Sequence, residues 1–164
     1  MTGSEEKIKK VSVICAKGNL EDVYAALVMT NGARMEGIEA NLFFTFFGLD
    51  AITKKKMNKL HTATVGNPAM AMPGGLPFPT LIGMLPGVEA GVSMMMRKEM
   101  DKLDIPPVEE FLDMIHASGG KLYGCKLAVD MFKLKREDMY DDLEGIITIG
   151  EFYEKAAGGQ IIFT

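Results

Sequence analysis

A cysteine stands where a predicted buried strand meets a predicted helix. The strand is the short apolar run from Lys121 to Cys125, and the helix begins in residues 126–132. The backbone N–H groups at the start of a helix lack partners within it, and they carry the positive end of its dipole. Both effects favour the thiolate, which is the nucleophilic form of cysteine. Lys126, the next residue, can add a positive charge, so we expect covalent chemistry at Cys125.

The other cysteine, Cys15, ends a second predicted strand, residues 11–16. If strands one and three lie side by side, Cys15 approaches Cys125 and becomes a resolving thiol or half of a reversible disulfide. A buried structural role is the alternative for either residue, because free cysteine is among the most buried residue types. Two cysteines cannot form a disulfide framework, so we expect a reducing, cytoplasmic environment.

Lys17, Gly18 and Asn19 follow the first strand and could offer backbone amides to an anion. A Lys-Gly-Asn turn is a weak phosphate signal beside a full glycine-rich fingerprint. The alternative is an ordinary helix start, with Asn19 as the N-cap and Asp22 in an acidic first turn. The only basic triplet, Lys54-Lys55-Lys56, is interpreted as the solvated end of a helix.

Composition argues against several classes of function. The chain has 164 residues, 48% hydrophobic and 24% charged, which is typical of one soluble globular domain covering residues 1–164. A net charge of −4, without basic residues interleaved with aromatic ones, argues against a nucleic-acid partner. The polar, acidic N-terminus lacks a signal-peptide core. There is no Cys-x-x-Cys and no cluster with metal-ligand spacing, so we predict no metal and no cofactor.

Strands and helices alternate along the chain, which predicts an α/β three-layer sandwich around a mostly parallel five-stranded sheet. The predicted strands are residues 11–16, 40–47, 121–125, 145–149 and 160–164. The predicted helices follow residue 19, cover 50–59, follow residue 107, follow residue 125 and cover 151–157. Sites in such sheets form at the carboxyl ends of the strands, where both cysteines are placed.

Two of these helices show an apolar face. In the helix after Pro106-Pro107 the face has the spacing i, i+3, i+4, i+7 and consists of Val108, Phe111, Leu112 and Ile115. In the first helix the predicted face consists of Leu20, Tyr24, Leu27, Val28 and Asn31. Gly37 is predicted to end that first helix.

An irregular insert rich in methionine, proline and glycine, about residues 66–103, separates the second and third strands. Seven of the fourteen methionines lie between Met70 and Met100. Prolines and glycines prevent a continuous helix across its first two-thirds, so we predict no membrane span, because lipid requires an internally satisfied backbone. Residues 94–103 are predicted to be helical. Methionine surfaces adapt to partners, so we interpret the insert as a loop over the Cys125 end of the sheet, an oligomer interface or both; intrachain core is the alternative.

Several segments, in the same order, resemble the DsrE/DsrF-like family, in the larger branch whose members are often labelled peroxiredoxin-like. They are residues 11–16, 17–20, 43–49, 66–73, 85–90 and 124–131. The resemblance implies a flavodoxin-like sandwich that assembles as homo- or hetero-oligomers. It also implies a sulfur carrier or sulfurtransferase-like protein that holds sulfane sulfur, as persulfide or thiosulfonate, on Cys125. TusA-like or rhodanese-like proteins are the implied partners, and Asn67 and Pro68 are motif residues of the family.

Sulfur transfer requires a thiolate that attacks the donor's sulfur and later releases it to another thiolate, without a metal or an organic cofactor. Two other functions stay open from the sequence. One is a non-enzymatic binding or scaffold module with a Met-rich interaction face, and the other is a thiol peroxidase or redox switch. A peroxidatic cysteine normally follows a Pro-x-x-x-Thr/Ser-x-x pattern, which residues 118–124 lack.

Overall fold

The computed structural model describes residues 7–63 and 85–164. One sheet contains the strands β1 (Lys10–Cys15), β2 (Glu39–Phe44), β3 (Lys121–Cys125), β4 (Gly145–Ile147) and β5 (Gln160–Phe163). Their order is β4-β3-β2-β1-β5, and every pairing is parallel. The predicted α/β class with a five-stranded parallel sheet is therefore confirmed. The strand order nevertheless differs from the 2-1-3-4-5 order of flavodoxin.

In these two ranges, α-helices and short 3-10 helices surround the sheet. The α-helices are α1 (Leu20–Met35), α2 (Val88–Lys102), α3 (Val108–Ala117), α4 (Lys126–Met131) and α5 (Ile149–Ala156). The 3-10 helices are Phe46–Ile52, Met57–Lys59 and Arg136–Asp138. Within the described ranges, none of these helices has both the length and the apolar character needed to cross a bilayer.

The two faces of the sheet are covered by different helices. The face that carries Val13 and Leu42 lies towards α1, which packs against β1, β2 and α3. The opposite face packs on α5, where the rings of Phe43 and Phe152 lie 4.7 Å apart. On the same side, the Asn41 amide donates to the Lys155 carbonyl oxygen at 3.4 Å. Layers on both sides of a parallel sheet are the usual arrangement, because both faces of its strands are apolar.

Helix α3 confirms its predicted apolar face, since its four buried residues are Val108, Phe111, Leu112 and Ile115. Helix α1 ends as predicted at Gly37, which has φ +74°. The N–H of Gly37 donates to Arg34 O at 3.0 Å, and the N–H of Ile38 donates to Ala33 O at 2.8 Å. This pair of bonds forms a Schellman motif, which requires a left-handed residue at the Gly37 position.

The predicted face of α1 was wrong at Val28, which is exposed, whereas Val23 and Ala26 are buried. The small side chains of Ala26 and Ala33 allow α1 to approach the sheet closely, and they set the buried face. Apolar size alone therefore pointed to a face rotated by about one residue from the real one.

The predicted helix over residues 50–59 is not formed as one element. The 3-10 helix Phe46–Ile52 stops because Thr53 forms an antiparallel bridge with Met139. The N–H of Lys54 donates to Asp138 O at 2.9 Å, and the N–H of Tyr140 donates to Ile52 O at 2.8 Å. These long-range bonds occupy backbone groups that a continuous helix would need.

Strand β2 ends three residues earlier than predicted, because Phe46 adopts a left-handed conformation with φ +44°. The chain then crosses the end of β1, where the N–H of Gly48 donates to Ala16 O at 3.2 Å. A Cβ atom at Gly48 would collide with the carbonyl oxygen of Cys15. The aromatic run is therefore buried up to Phe44, whereas the rings of Phe46 and Phe47 are exposed.

Part of the Met-rich insert, residues 66–84, lies outside the described residues. The predicted helix in its last part is confirmed, and it starts earlier, as α2. Met96 and Met100 of α2 pack against the core, whereas Met94 and Met95 are exposed. The described part of the insert thus contributes both to intrachain core and to an exposed methionine surface.

Candidate functional site

Cys125 lies where the sequence predicts it, at the junction of β3 and α4. It is the last residue of β3 and the N-cap residue of α4, with extended backbone angles of φ −73° and ψ 118°. Its side chain accepts no capping hydrogen bond from α4, and only 2% of the residue is exposed. The placement at the carboxyl edge of the sheet is the one expected for a site in a parallel α/β fold.

The neighbour of Cys125 in β3, Gly124, faces the opposite side of the sheet and is packed at ordinary distances. A Cβ atom added at Gly124 would meet Met139, Ile52 and Leu143 at 3.6 to 3.7 Å. Helix α4 packs against the 3-10 helix Phe46–Ile52 and buries only two side chains, Ala128 and Val129. The helix that directly follows Cys125 is therefore short and buries few apolar side chains.

Lys126 contributes less positive charge than its position suggests. Its ammonium group pairs with the Asp130 carboxylate at 3.0 Å, one turn along α4, and both side chains are more than half exposed. An exposed pair of this kind is strongly screened by water. The electrostatic field at the thiol therefore receives only a small net contribution from Lys126.

Cys15 lies at the carboxyl end of β1, as predicted, but it does not approach Cys125. Strand β2 separates β1 from β3, with Cys15 in register with Phe44 and Phe44 in register with Gly124. Two strand spacings amount to about 9.5 Å between Cα atoms, beyond the roughly 7 Å limit for a disulfide. Because side chains alternate along a strand, Cys125 also lies on the opposite face from Gly124 and Cys15. The condition for a resolving-thiol role, that strands one and three lie side by side, is not met, so that role has no geometric support.

The Cys15 thiol is fully buried and unreactive at neutral pH. Burial is the largest cause that raises its pKa, from 9.0 to about 12. Hydrogen bonds with the Thr164 side chain and the Lys17 backbone lower the pKa and oppose this shift only in part. A thiol with this pKa is almost entirely protonated at pH 7, so it is neither a nucleophile nor a metal ligand there.

The turn after β1 has a structural explanation. A Cβ atom at Gly18 would lie 2.5 Å from the carbonyl oxygen of Phe47, so the glycine is required by a close backbone approach. Lys17 forms an ion pair with Asp22 at 3.3 Å. Asn19 is the N-cap of α1, as predicted, although its side chain makes no capping bond. The first amide of the helix, at Leu20, donates instead to His61 O at 2.8 Å.

One predicted motif cannot be placed, and one aromatic pair was not predicted. Asn67 and Pro68 lie outside the described residues, so their relation to the thiol stays a prediction. The exposed aromatic pair Phe46 and Phe47, beside α4, was missed by sequence reasoning. The available signal was Gly48, since a glycine directly after an aromatic run indicates that the strand ends and the backbone approaches another segment closely.

Comparison with known proteins identifies the family of this chain. Residues 7–163 match the model of the DsrE/DsrF/DrsH-like family. The chain belongs to this family. It is 33% identical over 138 residues to the sulfur carrier protein DsrE2 of Allochromatium vinosum, covering 83% of this chain and 86% of that protein. It is also 23% identical over 145 residues to the uncharacterized protein YrkE of Bacillus subtilis, covering 85% and 86% of the two chains.

A solved structure supports the fold independently of sequence. The crystal structure of YchN from E. coli superimposes with a TM-score of 0.58, covering 96% of this chain and 100% of that chain. Sequence identity between the two is only 12%. At that identity the likeness establishes the shared fold and nothing about chemistry.

Proposed function

We propose that this protein is a sulfur carrier that holds sulfane sulfur on Cys125. The observation that carries the proposal is the position of Cys125, the N-cap of α4 at the carboxyl edge of β3, in a chain 33% identical to a sulfur carrier protein. The second thiol of the chain, Cys15, is fully buried, and its pKa is raised to about 12. Of the two cysteines, Cys125 is therefore the better acceptor.

The proposed chemistry is thiol–disulfide-type exchange at sulfur. With a persulfide donor, the Cys125 thiolate attacks the outer sulfur, the donor S–S bond breaks, and the donor leaves as a thiolate while Cys125 becomes a persulfide. With tetrathionate, the thiolate attacks a central sulfur, which leaves Cys125 as a thiosulfonate and releases thiosulfate. An acceptor thiolate then removes the sulfur and restores Cys125. No external oxidant or reductant enters either exchange.

Loading requires Cys125 to become accessible, because only 2% of the residue is exposed. Opening of α4 should require little free energy, since this helix has six residues and buries only Ala128 and Val129. Segments with few buried apolar contacts open locally at a small fraction of the global unfolding free energy. We therefore propose that local opening of α4 exposes the thiol to donor and acceptor.

The partners and assembly follow from the same proposal. TusA-like or rhodanese-like proteins are the proposed donors and acceptors, and the reducing cytoplasm is the proposed compartment, which keeps thiols free.

The chain is proposed to be a single domain that forms a homo-oligomer through the exposed Met94 and Met95 of α2. Replacing both with glutamate should lower the oligomer mass measured by analytical ultracentrifugation, whereas an unchanged mass would place the interface elsewhere.

The decisive experiment measures sulfur loading by intact mass. Wild-type protein is incubated with a persulfide or with tetrathionate, and the mass is recorded before and after treatment with dithiothreitol. The expected result is one reducible adduct, which is absent in Cys125→Ala and retained in Cys15→Ala. The proposal is wrong if wild-type protein gains no adduct while Cys125 is readily alkylated, or if the adduct persists in Cys125→Ala.

A further inference from the structure

A cleft of about 650 Å³ lies at the carboxyl edge of the sheet, beside β1, and Cys125 is not among the residues that line it. The turn of Lys17, Gly18 and Asn19 forms one side, and residues 55–63 form the other. Its volume is in the range of small-molecule sites. It lies beside β1, the strand at which the strand order reverses, although no residue of β5 lines it.

The cleft is positively charged in a negatively charged protein. Four lysines and two acidic residues line it, which gives a formal charge of +2 with His61 neutral, whereas the whole chain carries −4. Lys17 and Lys56 are paired, with Asp22 at 3.3 Å and Asp50 at 2.7 Å. Among the residues that the structure describes, Lys55 and Lys59 form no ion pair. Two ammonium groups without an ion pair therefore lie four residues apart on one wall, and the other acidic residue of the cleft, Glu89, lies 3.6 Å from His61.

An exposed aromatic ring forms another part of the wall. Phe47 is 64% exposed, and its ring lies 5.7 Å from that of Phe132 at an interplanar angle of 36°. The residue before it, Phe46, is left-handed with φ +44°, which is strained for a bulky side chain. Phe46 itself does not line the cleft, so Phe47 is the ring of this pair that a ligand there can contact.

We propose that this cleft binds an organic polyphosphate with an aromatic group, of the nucleotide type. The aromatic group packs on the free surface of Phe47, and the phosphates pair with Lys55 and Lys59. The ammonium groups bind the phosphates, and the first amide of α1 does not, because the N–H of Leu20 is already satisfied by His61 O. A small inorganic oxyanion would fill only a fraction of the cleft and would leave Phe47 without a contact.

The test follows backbone amide chemical shifts of the full chain in ¹⁵N–¹H spectra during titration with ATP, inorganic tripolyphosphate, adenosine or thiosulfate. We expect ATP to shift the amides of residues 17–20, 47 and 55–63 and to bind more tightly than tripolyphosphate. Phe47→Ala should weaken ATP binding roughly tenfold, as expected for loss of a base–aromatic contact, without changing tripolyphosphate binding. The double variant Lys55→Gln/Lys59→Gln should weaken both ligands roughly five- to tenfold.

Two matched variants separate this site from the rest of the molecule. Lys121→Gln removes an exposed lysine at the opposite, amino edge of the sheet, and it should leave ATP affinity unchanged. Cys125→Ala should also leave it unchanged, so a failure of the sulfur-carrier proposal does not affect this result. The proposal is overturned if ATP produces no shifts in the cleft. It is also overturned if thiosulfate binds as tightly as ATP, if Phe47→Ala has no effect, or if Lys121→Gln weakens binding as much as the double variant.

Discussion

The two cysteines end parallel strands at the same edge of one sheet, yet their surroundings are built differently. Cys15 is covered by the crossing segment after β2, and Gly48 packs directly on its carbonyl oxygen. Cys125 is followed at once by α4, which buries only two side chains. Burial raises the pKa of Cys15 to about 12. Both thiols thus lie at the end of a strand, but the segments next to them differ.

The comparison shows how a fold can separate a structural thiol from a reactive one. At the β1 end, two glycines are required by close backbone contacts, Gly48 against Cys15 and Gly18 against Phe47. Such contacts join segments that are distant in sequence, so exposing Cys15 requires the core to separate. At the β3 end, the space around Gly124 is looser, and α4 is a local segment. Local segments open more cheaply than core elements do.

The largest expected difference between the two thiols is in alkylation rate. The rise of the Cys15 pKa from 9.0 to about 12 lowers its thiolate fraction at neutral pH about a thousandfold. Native Cys15 should therefore react with iodoacetamide at least a thousandfold more slowly than in urea-unfolded protein. Cys125 should react roughly a hundredfold faster than Cys15 through local opening of α4.

Peptide mapping by mass spectrometry after timed quenching measures both rates in one sample. Cys15→Ala and Cys125→Ala assign each modified peptide and show whether one thiol affects the other. Equal protection of the two cysteines would mean that α4 opens only with the whole molecule, and it would remove the distinction between the two strand ends.

Two glycine substitutions should separate the strand ends by stability. Gly48→Ala forces a Cβ atom into the Cys15 carbonyl, a backbone contact that cannot move away cheaply, so we expect a loss of about 3 kcal/mol or more in unfolding free energy. Gly124→Ala places its Cβ at 3.6 to 3.7 Å from flexible side chains, so its effect should stay below about 1 kcal/mol. Urea unfolding followed by circular dichroism measures both changes. Similar losses in the two variants would contradict the looser packing inferred around Gly124 at the end of β3.

Sequence reasoning located the thiols but could not determine how they relate in space. The β3–α4 junction at Cys125 and the buried face of α3 were predictable, because periodicity and capping act over a few residues. The order of strands was not, since it depends on which long crossover packs where, and β2 came to lie between the two cysteines. No local feature of the sequence shows whether strands one and three are neighbours.

The region after β2 shows the same limit of sequence-based prediction, here within single elements of secondary structure. Residues 50–59 have helical composition, but the bridge between Thr53 and Met139 joins positions about 86 residues apart and overrides that preference. The left-handed Phe46 likewise follows from the crossing over β1, which local propensity does not encode. The Lys54-Lys55-Lys56 triplet was interpreted as a solvated helix end, and the fold instead places two of its lysines on the wall of a cleft. Each of these features depends on contacts made far away in the sequence.

The smallest expected effect concerns stability at alkaline pH, and it tests the burial of Cys15 without any reagent. The pKa of this thiol rises from 9.0, the value for an exposed cysteine, to about 12 in the folded protein. Below pH 9 the thiol is protonated in both the folded and the unfolded state, so it has no effect on the pH dependence of stability. Between pH 9 and 12 the unfolded chain loses this proton and the folded chain keeps it. The unfolding free energy therefore falls in that window, by up to about 1.4 kcal/mol per pH unit.

Replacing Cys15 with serine removes this contribution, so the variant isolates it. The loss of unfolding free energy between pH 8 and 10.5, measured by urea unfolding, should be smaller in Cys15→Ser than in wild type by about 2 kcal/mol. Tyr140, whose pKa is also raised by burial, is present in both proteins and cancels from the difference. An identical alkaline loss in the two proteins would show that Cys15 ionises freely in the folded state, and the contrast between the two thiols would then rest on packing alone.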